Sequence, residues 1–381
     1  MAAMPELTTY EATVVTGLEW IAAEECVEKL ATKKVTQSHG RVFIETDRPV
    51  QQVFDLKSVD NIYAVIYDNA SEEVPKNAEE LSQKLTSIST ACDWSRGLKT
   101  WMDAYNWTKC DLKTILDTNA DLKDMKPAFR VTANRTGDHK FNSHECAVIL
   151  GAIINDTYHW KVSMKEFDIE VVLNVRDNHF YVCLALTRES LHRRNLVCFG
   201  PTSLRATIAY NMLRMANVQL GDIVCDPMCG SGAIPVECAH NWQTFGIAAD
   251  NHPVAVERTQ TNCRHNKSLT DVNQWDVTAL PFRSDSIDVF ITDLPFGKRL
   301  GSKHDNKTLY PALLQQLSRC IRVGTGRMVL LTQDKRNMIQ SLQKPYVSKY
   351  WKVVRKTFVR IGGLDASIFV LKRNALPFTP I

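Results

Sequence analysis

Residues 287–297 read Ile-Asp-Val-Phe-Ile-Thr-Asp-Leu-Pro-Phe-Gly, an apolar strand that ends on a carboxylate, a prolyl peptide, an aromatic ring and a glycine. This set suits a flat heterocycle that carries an amino group. Asp293 can accept one N–H, and the carbonyl of Leu294 can accept a second, because Pro295 fixes the local backbone and presents no N–H of its own. Phe296 offers a face on which the ring can stack. The chemistry implied is substitution at an exocyclic amine, and the substrate class is a nucleobase.

A second constellation lies upstream. A strand ending at Cys225 delivers Asp226-Pro-Met-Cys-Gly-Ser-Gly-Ala-Ile-Pro-Val-Glu237 into a helix. Gly230 and Gly232 let the backbone approach a ligand closely, and the unpaired N–H groups of the helix start favour an anionic group such as a carboxylate. Pro235 is tolerated in the first helical turn, where its missing N–H has no partner to lose. Asp250 closes the next strand, placed to accept both hydroxyls of a ribose. Asp276 closes the third, placed to accept from an adenine amino group, and Asp293 closes the fourth. Any one of these taken alone reads better as a surface or capping aspartate. Together they line the carboxyl edge of the strands, where open parallel sheets bind ligands.

The elements that must hold these residues are an α/β sheet. From Pro201 onward strand and helix alternate, which predicts a parallel sheet covered on both faces. Strands are expected near 222–226, 244–249, 271–276, 287–292, 326–332, 351–359 and 366–371, with helices at 202–217, 234–240, 253–266 and 308–321. No helix separates the last two strands, so the sheet should end in an antiparallel hairpin. The first part of the chain reads as a small α+β unit, with strands at 11–16, 41–46 and 61–67 and helices at 18–30 and 49–57. A second α+β block has strands at 129–133, 169–175 and 180–186 and a helix at 142–156. Trp94, Trp101 and Trp107 lie among lysines between them, as stacking surfaces for single-stranded RNA or as core.

A chain of 381 residues is long enough for two or three domains, and 44% apolar with 23% charged residues marks it as globular. No uncharged apolar run is long enough for a membrane helix, and the first residues lack the pattern of a secretory signal. Eleven cysteines, an odd number with no Cys-x-x-Cys pair, read as reduced thiols of a cytoplasmic or nuclear protein, with no zinc site. The net charge of +4 is unevenly spread. Residues 1–70 carry 6 Lys and Arg against 11 Asp and Glu, whereas 201–381 carry 23 against 13. A polyanion near the C-terminal part fits that asymmetry, as does a solvated basic face. In the connector Glu189-Ser-Leu-His-Arg-Arg-Asn195, His192, Arg193 and Arg194 are either phosphate contacts or a solvated linker, and the same choice applies to Lys298, Arg299 and Lys303.

The combination of 226–237, Asp250-Asn-His-Pro253, Asp276 and Asp293-Leu-Pro-Phe-Gly297 resembles the S-adenosylmethionine-dependent Rossmann-like methyltransferases that act on amino groups. Phe129-Arg-Val-Thr-Ala-Asn134 and the 189–195 connector look like a THUMP RNA-binding domain. Taken together, the chain is similar to the THUMP-domain-containing protein 3 subfamily of tRNA guanine-N2 methyltransferases.

The resemblance implies a ferredoxin-like domain at 1–70, a THUMP domain at 71–190, a linker at 191–200 and a seven-stranded Rossmann-like methyltransferase domain at 201–381. It implies S-adenosyl-L-methionine as cofactor, held by Thr202, Asp226, Met228, Cys229, Gly230, Ser231, Gly232, Ala233, Asp250, Asn251, Asp276 and Val277. Catalysis would fall to Asp293, Leu294, Pro295 and Phe296, and RNA contacts to Arg130, Arg135, His192, Arg193, Arg194, Lys298, Arg299 and Lys303. The implied partners are tRNA and a small zinc-containing activator subunit. Two departures stand out: Asp-Leu-Pro-Phe replaces the Asn-Pro-Pro-Tyr or Asp-Pro-Pro-Tyr of many amino methyltransferases, and a long charged insertion before the THUMP core shrinks here to about 107–127. An adenine N6 or protein-amide methyltransferase, or an RNA-binding scaffold with an inactive fold, are the competing readings.

Overall fold

A computed structural model describes residues 7–295 and 303–379, with the side chains of Lys303 and His304 left out. Contacts divide the chain into two units. The first comprises Met1–Thr13, Ala23–Leu56 and Asn61–Ser190, and the second Val14–Ala22, Lys57–Asp60 and Leu191–Ile381.

The first unit is built on one seven-stranded sheet. Its strands are β1 (Thr8–Thr13), β2 (Lys34–Ser38), β3 (Arg41–Thr46), β4 (Asn61–Asn69), β5 (Phe129–Thr136), β6 (Ile169–Arg176) and β7 (His179–Ala185), in the order β2-β3-β1-β4-β7-β6-β5. The two expected N-terminal domains therefore share a sheet, joined where β4 pairs antiparallel with β7. Sequence reasoning missed β2, whose Lys-Val-Thr-Gln-Ser has no apolar alternation. It is an edge strand held by its hairpin with β3, so it has no face to bury. The first strand was expected at 11–16 and lies at Thr8–Thr13, because the chain leaves the sheet at Val14 and buries Val14 and Val15 in the second unit. The helix expected at 49–57 shortens to Val50–Val53.

Trp94 and Trp101 are buried, and Trp94 meets Trp160 edge-on at 5.7 Å, so these two are core and not stacking surfaces for RNA. Trp107 is half-buried against Trp101, with the Lys109 ammonium 4.7 Å from its ring centre.

The second unit carries β8 (Ile223–Asp226), β9 (Phe245–Asp250), β10 (Asp271–Gln274), β11 (Val289–Asp293), β12 (Arg327–Thr332), β13 (Trp351–Ile361) and β14 (Leu364–Arg373), in the order β10-β9-β8-β11-β12-β14-β13. Neighbours from β10 to β12 are parallel, and β14 and β13 form the antiparallel end expected from the sequence. Helices Ala206–Met215, Ala233–Asn241, Pro253–His265 and Lys303–Cys320 match the four expected. Two short helices, Lys335–Leu342 and Pro345–Ser348, were not anticipated. The central strands are buried on both faces, which explains why β11 and β12 read as continuous apolar runs. The switch in strand order between β8 and β11 opens the crevice in which such sheets place ligands. No helix among the described residues is long and apolar enough to cross a membrane.

Candidate active site

β8 ends on Asp226, and the following loop turns through Gly230 (φ +58°) and Gly232 (φ +81°) into the helix Ala233–Asn241. The two glycines serve different ends. A Cβ on Gly230 would meet nothing within 4 Å, so this backbone faces open space where a ligand can approach. A Cβ on Gly232 would lie 2.9 Å from Thr259 Cγ2, so on that side Gly232 makes room for the helix Pro253–His265.

The loop is tied down from three sides. Asp250 Oδ2 accepts the Gly230 amide at 3.0 Å, and its Oδ1 accepts the His252 amide at 3.0 Å. The carboxylate at the end of β9 thus holds the glycine loop. Asn262, buried in the helix Pro253–His265, donates to the carbonyls of Ser231 and Cys198 at 2.8 Å each and accepts the amides of Val197 and Cys198. Ser231 donates to the Ser203 hydroxyl at 2.9 Å. Asn262, Thr259 and Ser203 were all missed from sequence, since nothing in the pattern 253–265 beyond its helical period separates Asn262 from a surface asparagine. Thr202, chosen for the cofactor site, is exposed, and its neighbour Ser203 makes the contact with the loop.

Other members of the expected set take varied positions. Cys229 is buried with its thiol 3.3 Å from the Thr259 hydroxyl, and burial pushes that thiol up. Ala233 and Ser231 are buried, Met228 packs half-buried on the core, and Asn251 is exposed, its carbonyl accepting from Gln274 at 3.0 Å. Asp276 does not close a strand. β10 stops at Gln274, and Asp276 caps the short turn Val277–Ala279 by accepting the amide and hydroxyl of Thr278 at 2.8 and 2.7 Å. Val277 is core.

Asp293 is the last residue of β11, in the strand beside β8. Its Oδ1 is enclosed and has no hydrogen-bond partner among the described residues. Burial and then the nearby Asp226 carboxylate raise its pKa to about 8. Asp226 is itself raised to about 7, by burial first and by Asp250 further, against the Met228 amide that it accepts. Carboxyls that burial keeps from ionising would be drawn into their charged form by a cation in the cleft, and in that form they accept the N–H of an amine.

After Asp293 the chain is fixed by its own backbone. The Leu294 amide donates to the Leu331 carbonyl at 2.9 Å, and the Leu294 side chain is buried in the core between the sheet and the helix Lys303–Cys320. The Pro295 carbonyl accepts from the Tyr310 hydroxyl at 3.0 Å and from Asn306 Nδ2 at 3.3 Å. Phe296, Lys298 and Arg299 lie outside the described residues, and Lys303 is described in its backbone alone.

The basic residues expected to touch RNA are largely occupied within the fold. Arg194 forms a two-point ion pair with the buried Glu237, at 3.1 and 2.9 Å, and donates to the carbonyls of Leu191 and Lys57, so it locks the connector rather than offering a phosphate contact. His192 lies 3.8 Å from Asp60, and burial leads the causes that lower its pKa. Arg130 pairs with Glu170 at 2.9 Å and covers the Phe167 ring, and Arg135 donates to the Gly137 carbonyl. Arg193 is exposed.

Comparison with known proteins places this geometry. Residues 193–367 match the RMKL-like methyltransferase domain, and residues 113–185 match the THUMP domain. The bovine (Bos taurus) tRNA (guanine(6)-N(2))-methyltransferase THUMP3 is 37% identical over 462 aligned residues, covering 97% of this chain and 89% of the relative. The human (Homo sapiens) protein of the same name is 36% identical, covering 98% and 89%. An alignment longer than this chain's 381 residues means that the bovine relative carries insertions absent here. Among solved structures, TrmN from Thermus thermophilus superposes with a TM-score of 0.78 at 22% identity, covering 96% of this chain and 99% of that one. The methyltransferase SMU.472, complexed with SAH, gives a TM-score of 0.70 at 17% identity, covering 99% and 100%. The chain belongs to the THUMP3 family of tRNA guanine-N2 methyltransferases.

Proposed function

We propose that this protein transfers a methyl group from S-adenosylmethionine to the exocyclic N2 amine of a guanosine in tRNA. The observation that carries the reading is Asp293, whose Oδ1 is enclosed and has no partner among the described residues, at the end of β11 beside a glycine loop whose Gly230 faces open space. The names of the mammalian relatives specify guanine 6, and the same position is the one to test first.

The residues present suit the cofactor. The open backbone at Gly230 and the amides opening the helix Ala233–Asn241 would receive its carboxylate, Asp226 its ammonium, and Asp250 its ribose. When bound, the cofactor supplies an electrophilic methyl on a cationic sulphur.

The guanine amine is a weak nucleophile because its lone pair is delocalised into the ring. Asp293 and the Leu294 carbonyl accept its two N–H bonds and so fix the lone pair in line for displacement. Orientation supplies several kcal/mol of the barrier, and the Asp293 carboxylate stabilises the positive charge that develops on the amine. Beside a bound sulfonium the Asp293 carboxyl would be drawn into its ionised form, and that carboxylate, basic for its type, is then the acceptor of the proton lost afterwards.

Incubation with tRNA and labelled cofactor, followed by nucleoside mass spectrometry, tests the reading. N2-methylguanosine is the expected product. N6-methyladenosine, a labelled protein or no transfer would each replace it with one of the competing readings.

We further infer the zinc-containing activator as partner, in keeping with the family. Edge strand β13, with Val353 and Val354 exposed in the half away from the Thr16–Arg360 bridge, offers a surface for strand addition. Co-expression that leaves the two chains separate on gel filtration would reject the pairing.

A further inference from the structure

The helix Lys303–Cys320 and the segment after β12 carry a chain of polar side chains that no catalytic step has yet used. The Tyr310 hydroxyl donates to the Pro295 carbonyl at 3.0 Å and lies 2.8 Å from the Thr332 hydroxyl, which in turn accepts the Asp334 amide at 2.9 Å. Asn306 Nδ2 bridges the same Pro295 carbonyl and Asp334 Oδ2, at 3.3 and 3.1 Å. Asn337 Nδ2 donates to that Asp334 oxygen at 2.7 Å. Tyr310, Asn306, Thr332, Asp334 and Asn337 are all buried. Polar groups in a core weaken it unless they are satisfied, and here they converge on one backbone carbonyl, two residues past Asp293.

We propose that Tyr310 and Asn306 are positioning residues for methyl transfer: by holding the Pro295 carbonyl they set the direction of the Leu294 carbonyl, the second acceptor of the target amine. The geometry requires this coupling. Leu294 is anchored before its carbonyl by its amide bond to Leu331 and by its buried side chain. Beyond it, the pyrrolidine ring of Pro295 fixes φ, so one torsion and the far carbonyl decide how the intervening peptide plane lies. Two donors on that far carbonyl remove the remaining freedom. They do so from a helix packed on the core rather than from a loop, the arrangement that holds a site most closely.

This rests on the reading of Asp293 and Leu294 as the amine clamp, and the experiment separates the two. Single-turnover methyl transfer to tRNA is measured for the wild type, Tyr310→Phe, Asn306→Asp and their combination, alongside cofactor and tRNA dissociation constants and melting temperature. Asn306→Asp keeps the shape but turns a donor into a carboxylate facing the Pro295 carbonyl and Asp334.

Ser318→Ala serves as control. It removes a buried hydroxyl of the same helix, bonded to the Trp351 indole at 2.6 Å and remote from Pro295. The expected result is a rate at least ~10-fold lower in each positioning variant, since misplacement by about 1 Å can cost ~10²-fold, with both dissociation constants within about two-fold. Ser318→Ala should lower the melting temperature with the rate per folded molecule kept. Wild-type turnover with an unchanged rate in the double variant overturns the positioning role alone, as does a rate that tracks melting temperature across all four variants. A wild type without transfer overturns the clamp reading and this one with it.

Discussion

Asp226 and Asp293 end adjacent parallel strands, and burial leads the causes that raise both carboxyls: Asp293 to about 8, with the nearby Asp226 adding to it, and Asp226 to about 7, with Asp250 adding to it. Their pKa values are raised above the usual 3.8, so the folded state binds protons more tightly than the unfolded chain. The stability they contribute is present at low pH and is lost as pH rises through about 7 to 8. The ligand-free protein should melt at a lower temperature at pH 8.5 than at pH 6, and Asp293→Asn should flatten that dependence. Parallel dependences of melting temperature on pH for the two proteins would refute the raised pKa of Asp293.

The same carboxyls should make the affinity for the proposed cofactor depend on pH. A ligand with a sulfonium and an ammonium favours the ionised carboxylates, so its affinity should rise with pH up to about 8 and then level off. The neutral thioether product should show a shallower rise. Calorimetry in two buffers of different ionisation enthalpy reads the protons released on binding. Release that is equal for cofactor and product, or absent, contradicts this assignment.

Asp293→Asn should lower the methyl-transfer rate by about 10²–10³ while cofactor binding persists, because the amide keeps one acceptor and loses the negative charge. Equilibrium dialysis and single-turnover transfer measured on one preparation decide it. Retained turnover removes Asp293 from the chemistry.

Gly230 and Gly232 should fail in different ways. Gly232→Ala forces φ +81° on a residue with a Cβ and drives that Cβ to 2.9 Å from Thr259, so the fold should lose about 1–3 kcal/mol. Gly230→Ala meets open space and bears the strain of φ +58° alone, but its methyl projects into the cleft. Lower melting for Gly232→Ala and weaker cofactor binding for Gly230→Ala are expected. The reverse assignment would mean that the ligand lies against Gly232.

The strand ends carried most of what could be read from the sequence. Asp226, Asp250 and Asp293 stand where strand and helix alternation placed them, since in a parallel sheet the topology itself sends strand termini to one edge. What escaped depends on contacts distant in sequence. Asn262 reaches back 64 residues to Cys198, and Asn306 and Tyr310 bind a carbonyl 11 and 15 residues before them, with no local pattern to mark either. β2 escaped for a different reason, that an edge strand needs no apolar face. Asp276 misled because a capping aspartate and a strand-end aspartate look alike without the strand boundary.

Arg194 and Arg193 are neighbours with opposite fates, and they separate stability from RNA binding. Arg194 is paired with a Glu237 that is 1% exposed, so Arg194→Ala leaves a buried carboxylate without its cation and should cost about 3–5 kcal/mol. Its effect on tRNA affinity, measured on the protein that remains folded at low temperature, should be small. Arg193 is exposed, and Arg193→Ala should leave melting unchanged. If it touches a phosphate, tRNA affinity falls and the slope of log K against log salt becomes shallower by about one. An unchanged slope with unchanged affinity would show that Arg193 makes no phosphate contact.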